Sequence, residues 1–585
     1  MTFPTSQTAP LPVAIIASGV ILLILWQVGI YPLALAGRLL SADHELSAET
    51  VARMATGQVW AALALVATGL TALFRRGIVS PRTMMGAPRV SAPAFLALLM
   101  LGGALSAAIS FHVLFDSIPH VTDAISHFFQ AKIFAGGELV AAAPPCPLAF
   151  FQHHVLITND GKWFTKYPPG HALLLAIGQL LGYSNAALLL AHLLVLVASY
   201  FLARSFFTES VARATAAAFA VSPLAILLAG SMMSHTTFLA SFLTGSWALV
   251  SALHMPRAPF LNVLAGFAYG LSFLIRPHEF LISAAAVATG LLLSAPRAVL
   301  EILRSSRHLL MGFLPAFVAI LLWNQKAYGH WAAIGYGFTT DQSLFPMFQS
   351  RFGVGEHFKL ADAAQLSLHR LIRFDQALLG WPLTLPLLGF AFLRVMDRRV
   401  RFLVIATAVH VGVYFFYDYL GHEYEARYYY NLAPVMLVLL AFGLREWAGA
   451  SPARRFVVLA VVVASFAHAV GAYWPQVVFR NYGPDYEQAN RCLHERALRE
   501  LPPSSLVLID SGAPEIRFRY SSGFLFNDPA LTGRVIYARG EYLDLVPCLV
   551  RAFADRRFYR YVADPNDWCN GRFVPVEVSP PAGSE

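Results

Sequence analysis

The sequence predicts a polytopic α-helical membrane protein with about 13 transmembrane helices, followed by a small C-terminal extracytoplasmic α/β domain. Three observations carry that expectation. Of the 585 residues, 57% are hydrophobic and only 13% charged, and mean hydropathy is +0.58. No soluble globular class has that balance. Apolar runs of about 18 or more residues, long enough to cross a bilayer's hydrocarbon core, recur along the chain. The net charge of +9 comes mostly from basic residues in short loops, as the positive-inside rule expects, so it gives no ground for nucleic-acid binding.

The apolar runs lie at roughly 12–34, 56–74, 91–114, 184–203, 212–230, 236–254, 259–275, 279–296, 308–325, 376–394, 402–417, 430–444 and 456–474. Residues 1–10 carry no charged side chain, so the first run reads as a retained anchor rather than a cleaved signal peptide. A further run, 170–182, is too short to span and is expected to enter the membrane without crossing it. Four basic loops can all be cytoplasmic at once: Arg75 to Arg89, Arg297 to Arg307, Arg394 to Arg401 and Arg445 to Arg455. The long loops 115–169 and 326–375 and the tail after 475 then fall outside.

This divides the chain into a membrane module, residues 1–475, and a soluble domain, residues 476–585. In the tail, 487–501 reads as a helix and 505–510, 534–538 and 557–564 as strands. All four cysteines, Cys146, Cys492, Cys548 and Cys569, lie outside on this topology, where disulfides persist. Cys548–Cys569 is the preferred pair, with free thiols as the alternative. No CxxC spacing points to a metal or redox site.

The polar stretch from Phe115 to Gly170 stands out between hydrophobic helices, and loops that hold such residues beside a membrane carry function. VTDAISHFFQAKIFAGG can form an amphipathic helix on the membrane surface, with Ile125, Phe128, Phe129, Lys132 and Ile133 at helical spacing. Thr122 or Asp123 would cap its N-terminus. Asp123 also fits a second role, an ionised carboxylate acting as general base towards an acceptor hydroxyl or amine.

Asp123, then Lys132 nine residues on, then KWFTKYPPGHALLLAIGQLLG with Lys166-Tyr167-Pro168-Pro169, resembles the first outer loop of GT-C membrane glycosyltransferases. The likeness is to the protein O-mannosyltransferase and lipid A aminoarabinose transferase group. EARYYYNLAPVMLVLLA (425–441) resembles the Arg-Tyr segment that leads into a late helix of that family. Asp123 is followed by Ala124 where many members carry an Asp-Glu pair.

The resemblance implies a GT-C fold over about residues 115–445. It also implies transfer of a sugar from a polyprenyl-phosphate donor to an acceptor, usually with inversion and often without a metal. Asp123 would be the catalytic carboxylate. Cations are needed for the leaving lipid phosphate, and Lys166, Arg276 and Arg427 are the candidates. Each also has a local explanation: Lys166 as a snorkelling interface lysine, Arg276 as a topology marker before a Pro helix start, and Arg427 as an ion pair in an aromatic belt. Pro168-Pro169 would bring Lys166 and Tyr167 stiffly to the pocket.

His112, His120, His127, His153, His154 and His171 cluster about the first loop without metal-ligand spacing. His120, His127, Lys132 and Tyr167 are assigned to the substrate pocket. DYLGHEYE (418–425) adds His422 and Glu423, as acceptor-binding groups or as solvated charge, and leaves open a carboxylate-bound divalent ion. The Gly- and aromatic-rich loop 326–375 suits a lid or a sugar-stacking surface. No phosphate-loop or dinucleotide glycine pattern is present, which favours a lipid-linked donor and needs no cofactor.

The expected partners are that donor, a lipid, glycan or protein acceptor, and membrane lipids. The expected location is a bacterial inner membrane with the site facing the periplasm. Two other classes remain: a transporter or flippase of lipid-linked sugars, which would place ionisable residues at mid-membrane depth and show internal repeats, and a non-catalytic glycan-assembly partner.

Overall fold

The computed structural model describes residues 90–577, apart from 256, 334, 336–357, 418, 420–422, 511–517 and 565–566. The runs at 12–34 and 56–74, residues 334 and 336–357 of the loop 326–375, and Asp418 and His422 lie outside the described residues.

Helix α1, Ala92–Ile109, opens with Ser91, whose hydroxyl accepts from the Ala94 amide, and carries Pro93 in its first turn, where no donor is lost. A π-turn, Ser110–Leu114, extends it to a 23-residue apolar span. Helix α2, Thr122–Ala135, follows. Next come the short strands β1 (Ala141–Ala142), β2 (Val155–Ile157) and β3 (Lys162–Thr165), which form an antiparallel sheet in the order β1-β3-β2.

The chain then runs through α3 (Pro169–Leu180), α4 (Ala186–Phe206), α5 (Glu209–Ala220), α6 (Pro223–Gly230), α7 (Ser234–His254), α8 (Pro259–Ile275), α9 (Pro277–Ser294), α10 (Pro296–Arg304) and α11 (Ser306–Tyr328). It continues with α12 (Leu360–Leu379), α13 (Arg398–Phe415), α14 (Ala433–Ala448) and α15 (Pro452–His468). Many of these helices begin at a proline. Its fixed φ suits the first turn, and its missing N–H would be unpartnered there anyway.

Among the described residues, seven helices are long and apolar enough to cross a membrane, or eight if α5 and α6, bent by 54° where Pro223 interrupts them, form one span. Helix α8 is apolar but has only 17 residues, and α3 has only 12. The expected helix 376–394 is not continuous. Helix α12 stops at Leu379 because Gly380 adopts a left-handed φ of +73°. Pro382 and Pro386 then limit the chain to two four-residue turns, Thr384–Leu387 and Gly389–Phe392. Helix α13 carries Arg398, Arg399 and Arg401 in its first turn. Helix α15 runs on through a π-helical stretch, Ala469–Phe479, to Tyr482.

The C-terminal part contains α16 (Cys492–Glu500) and strands β4 (Ser505–Ile509), β5 (Val535–Arg539), β6 (Arg557–Val562) and β7 (Arg572–Pro575). The sheet order is β5-β4-β6-β7, with β4 parallel to both β5 and β6, and β7 antiparallel to β6. One hydrophobic core joins this sheet to the first loop. Ile125, Phe129 and Ile133 of α2 and Trp163 of β3 pack with Leu493, Leu506, Phe524 and Tyr537. The apolar face of α2 is therefore covered by protein, not laid on the membrane as its amphipathic pattern suggests.

The disulfides also differ from expectation. Cys146 pairs with Cys548, and Cys492 with Cys569; Cys548 does not pair with Cys569. Two contacts explain this. Phe553, just after the helix that holds Cys548, packs on Phe150 of the loop with ring centroids 6.0 Å apart. Arg496 of α16 donates to the Cys569 carbonyl at 2.7 Å, which brings that turn to Cys492.

Candidate active site

Helix α2 has Val121 as its N-cap, and no side chain caps it. Asp123 is thus not spent on the helix end. Its carboxylate accepts a hydrogen bond from the Tyr167 hydroxyl. On the same side, one turn apart, Ser126 and Gln130 hold the small sheet. The Ser126 hydroxyl donates to the His154 carbonyl at 2.7 Å, and Gln130 Oε1 accepts from the Thr165 amide at 3.0 Å. These bonds fix His154 before β2 and Lys166 after β3. Pro168 is extended and α3 begins at Pro169, so Lys166 and Tyr167 stop at the mouth of the bundle.

The start of α3 lies flush against the end of α8. A Cβ on Gly170 would sit 2.7 Å from the Leu274 carbonyl carbon and 2.8 Å from the Ile275 nitrogen, so only glycine fits there. Arg276 follows at once. Pro277 keeps it out of the helical conformation between α8 and α9, and its guanidinium donates to Ser234 Oγ at 3.1 Å. Arg427 enters from the segment before α14 and pairs with Glu423 at 3.0 Å.

These residues meet in one cavity of about 90 Å³. Its lining includes Asp123, Lys166, Tyr167, Arg276 and Arg427, together with His154, His235, His278 and four tyrosines, Tyr414, Tyr417, Tyr419 and Tyr428. Lys166 is 8% exposed and Arg427 is 3% exposed. Lys166, Arg276 and Arg427 thus line a small cavity with one carboxylate, Asp123, while Glu423 pairs with Arg427 from behind. Such a site favours a bound anion.

Burial pushes the Asp123 carboxyl up. His154, Arg427, the Tyr167 hydroxyl and Lys166 outweigh burial and hold it well below the usual carboxylate range. Asp123 is therefore ionised. His127 stacks on Tyr167 with centroids 4.6 Å apart and meets His171 edge-on at 4.8 Å, one layer behind the cavity. Burial, then the neighbouring His171, holds its pKa well below the ordinary value, so the ring is neutral.

Of the expected pocket residues, His120, His127, Lys132 and Glu423 do not line the cavity. Nine residues of helix make two and a half turns, which puts Lys132 on the side of α2 opposite Asp123. Its ammonium donates to the Leu525 and Asn527 carbonyls at 2.6 and 2.9 Å, inside the C-terminal part. His120 is buried edge-on against Phe115, 5.4 Å between centroids, and does not line the cavity. Glu423 sits behind Arg427 as its ion-pair partner.

Tyr414, Tyr417, Tyr419 and His235 were not singled out by the sequence. The only signal for the tyrosines is the aromatic alternation YFFYDYL at the end of α13. Among the described residues, no group of three or more His, Cys, Asp or Glu side chains is arranged to hold a metal ion.

Below this cavity lies an apolar slot of about 520 Å³, lined by residues such as Phe242, Leu243, Leu249, Ala286, Val287 and Val438. His410 and Asn431 also line the slot. Glu279 separates the two spaces, accepting from the Tyr414 hydroxyl on the cavity side and from Asn431 at 2.8 Å on the slot side.

A scan against protein-family models and a search of curated proteins return no match. Among solved structures, the chain is similar to ArnT from Cupriavidus metallidurans bound to undecaprenyl phosphate. The TM-score is 0.53 at 15% identity, over 85% of this chain and 100% of that one. Its apo state gives 0.53 and 15%, over 83% and 98%. The apo oligosaccharyltransferase of Archaeoglobus fulgidus is a weaker likeness, with a TM-score of 0.44 at 13% identity, over 80% and 69%. Identities this low speak for the fold. The chain is a multi-pass membrane protein with the GT-C glycosyltransferase fold that its loop motifs suggest.

Proposed function

We propose that this protein transfers a sugar from a polyprenyl-phosphate donor to an acceptor outside the cytoplasm. The observation that carries this reading is the convergence of Asp123, Lys166, Arg276 and Arg427 on one buried cavity from four separate parts of the chain. Lys166, Arg276 and Arg427 hold the donor phosphate. The apolar slot beneath takes the start of the hydrocarbon tail. The co-crystallised undecaprenyl phosphate of the structurally similar ArnT supports a lipid phosphate of this class.

In the reaction, an acceptor oxygen or nitrogen bonds to the anomeric carbon while that carbon's bond to the phosphate oxygen breaks. Polyprenyl phosphate leaves, its developing charge met by the three cations. Attack from the face opposite the phosphate inverts the anomeric centre. Asp123 orients the acceptor and takes its proton, and Tyr167 fixes the carboxylate.

A carboxylate held this low is a weak base in the empty site, because efficiency is best when the base's pKa nears the working pH. The donor's negative phosphate offsets Lys166 and Arg427 and so relieves part of that pull. Base strength and donor loading are linked. Taking the basic loops as cytoplasmic, as the positive-inside rule expects, the cavity is read as facing the periplasm of a bacterial inner membrane.

The test uses purified protein in lipid with a panel of polyprenyl-phosphate sugars and candidate acceptors, following release of polyprenyl phosphate. Wild type should release it, and Asp123→Asn should slow release by roughly 10²–10⁴-fold, the usual worth of a positioned base. Unchanged release in the variant removes Asp123 from the mechanism. Undecaprenyl phosphate binding without release from any donor shifts the weight to a flippase.

A further inference from the structure

Tyr414, Tyr417, Tyr419 and Tyr428 line the candidate cavity as one aromatic cluster. The rings of Tyr414, Tyr417 and Tyr419 lie 5.6, 5.1 and 6.2 Å from that of Tyr428. Three of the four stand where α13 ends, at Phe415. The last carbonyls of a helix lack intrahelical donors, and a chain leaving the helix irregularly inside a protein leaves further carbonyls to satisfy.

Arg370 of α12 supplies these donors. Its Nη1 donates to the Tyr414 carbonyl at 2.7 Å, and its Nη2 to the Tyr417 carbonyl at 2.6 Å and to the Tyr419 carbonyl. Its guanidinium also lies 5.7 Å from the Tyr417 ring centroid. Arg370 is 2% exposed and does not line the cavity. One turn on, Arg373 donates to the Glu425 carboxylate at 3.1 Å, tying down the segment that leads to Arg427.

We infer that the four tyrosines form the subsite for the donor's sugar ring and that Arg370 is the positioning residue that sets them. The inference rests on the proposed function. A sugar ring presents C–H faces rimmed by hydroxyls, which suits aromatic faces and phenolic hydroxyls. A phosphate suits cations. The cavity supplies both chemistries, so the donor's two parts divide between them. Only a planar fork with several fixed donors can gather three carbonyls from one stem. An ammonium is a point charge and cannot reproduce that geometry.

The experiment uses the full chain in lipid as wild type, Arg370→Lys and Tyr417→Leu, each assayed well below its own Tm. It measures KM and kcat for the donor that wild type uses best, and the inhibition constant of undecaprenyl phosphate, which lacks the sugar. Both variants should raise donor KM by about tenfold or more while the inhibition constant stays within about threefold. A purely structural role for Arg370 lowers Tm and the active fraction but leaves KM at the wild-type value, and that result overturns the positioning role. A parallel rise in the inhibition constant makes the tyrosines part of the phosphate site and overturns the sugar subsite. Tyr417→Leu keeps the question answerable if Arg370→Lys does not fold. Wild type that releases polyprenyl phosphate from no donor removes the proposed function itself, a result distinct from either of these.

Discussion

The clamp between α2 and the C-terminal sheet makes a pH-dependent prediction through Lys132→Met. Methionine keeps the packing of the stem and removes the donors to the Leu525 and Asn527 carbonyls. Two part-buried carbonyls left without partners cost about 1–3 kcal/mol each. Against this stands the cost of burying the ammonium, which pushes the Lys132 pKa down from 10.5 to about 8. At 1.36 kcal/mol per pKa unit, that corresponds to about 3 kcal/mol against the charged form. At neutral pH the two effects nearly offset, so Lys132→Met is expected to weaken docking by less than about 3 kcal/mol.

The sign with pH follows from the lowered value. Below about pH 8 the lysine is charged whether docked or free, and the burial cost is paid in full. Between about 8 and 10.5 the undocked state holds more protons, so docking strengthens as pH rises. A neutral amine still donates both hydrogen bonds. The wild-type advantage over Lys132→Met should therefore widen by about 2 kcal/mol between roughly pH 7.5 and 9.5. The assay is amide hydrogen exchange at Leu525, Asn527 and α2 in both proteins, corrected for intrinsic exchange at each pH. A gap that stays constant or narrows over this range refutes the reasoning.

Two further outcomes are expected. Cys146→Ser removes a bond spanning 402 residues, which the loop-closure relation values at about 6 kcal/mol. Tm should fall clearly in the variant, and reductant should then lower it by less than in wild type; an unchanged Tm would mean the core alone holds the loop to the sheet. Gly170→Ala drives a methyl into the backbone of Leu274 and Ile275 and separates α3 from α8. Because Lys166 lies just before α3 and Arg276 just after α8, undecaprenyl phosphate should bind about tenfold or more weakly, as measured by titration in lipid. Wild-type affinity would show that the two cations do not depend on that contact.

What could be read in the sequence was local. Asp123 and Tyr167 meet because a helix, a short hairpin and a Pro-Pro stop connect them within one loop, and each has its own signature. Arg276 was legible because a proline follows it at a break between two apolar runs. Lys132 shows the limit of matching spacing without turning it into angle: two and a half helical turns already put it opposite Asp123. The apolar stripe Ile125, Phe129, Ile133 marked a buried face, but a bilayer and a protein core ask for the same residues. The covering sheet could therefore not be inferred from α2 alone. Cysteine pairing was open in the same way, since four cysteines admit three connectivities and only the fold selects one.

Arg370 lies furthest from any sequence signal. Its partners are main-chain carbonyls 44, 47 and 49 residues away, and carbonyls have no residue identity to match. The same holds for the cavity as a whole. Lys166, Arg276 and Arg427 each have a sufficient local explanation taken singly, and a snorkelling lysine, a topology arginine and a belt arginine would be expected at the surfaces of separate helices. Three of them lining one small cavity around a single ionised carboxylate is not what independent local roles produce. Asp123 and the Glu423 that pairs with Arg427 supply two negative charges against three positive ones, so the convergence points to an anionic ligand that none of the residues indicates alone.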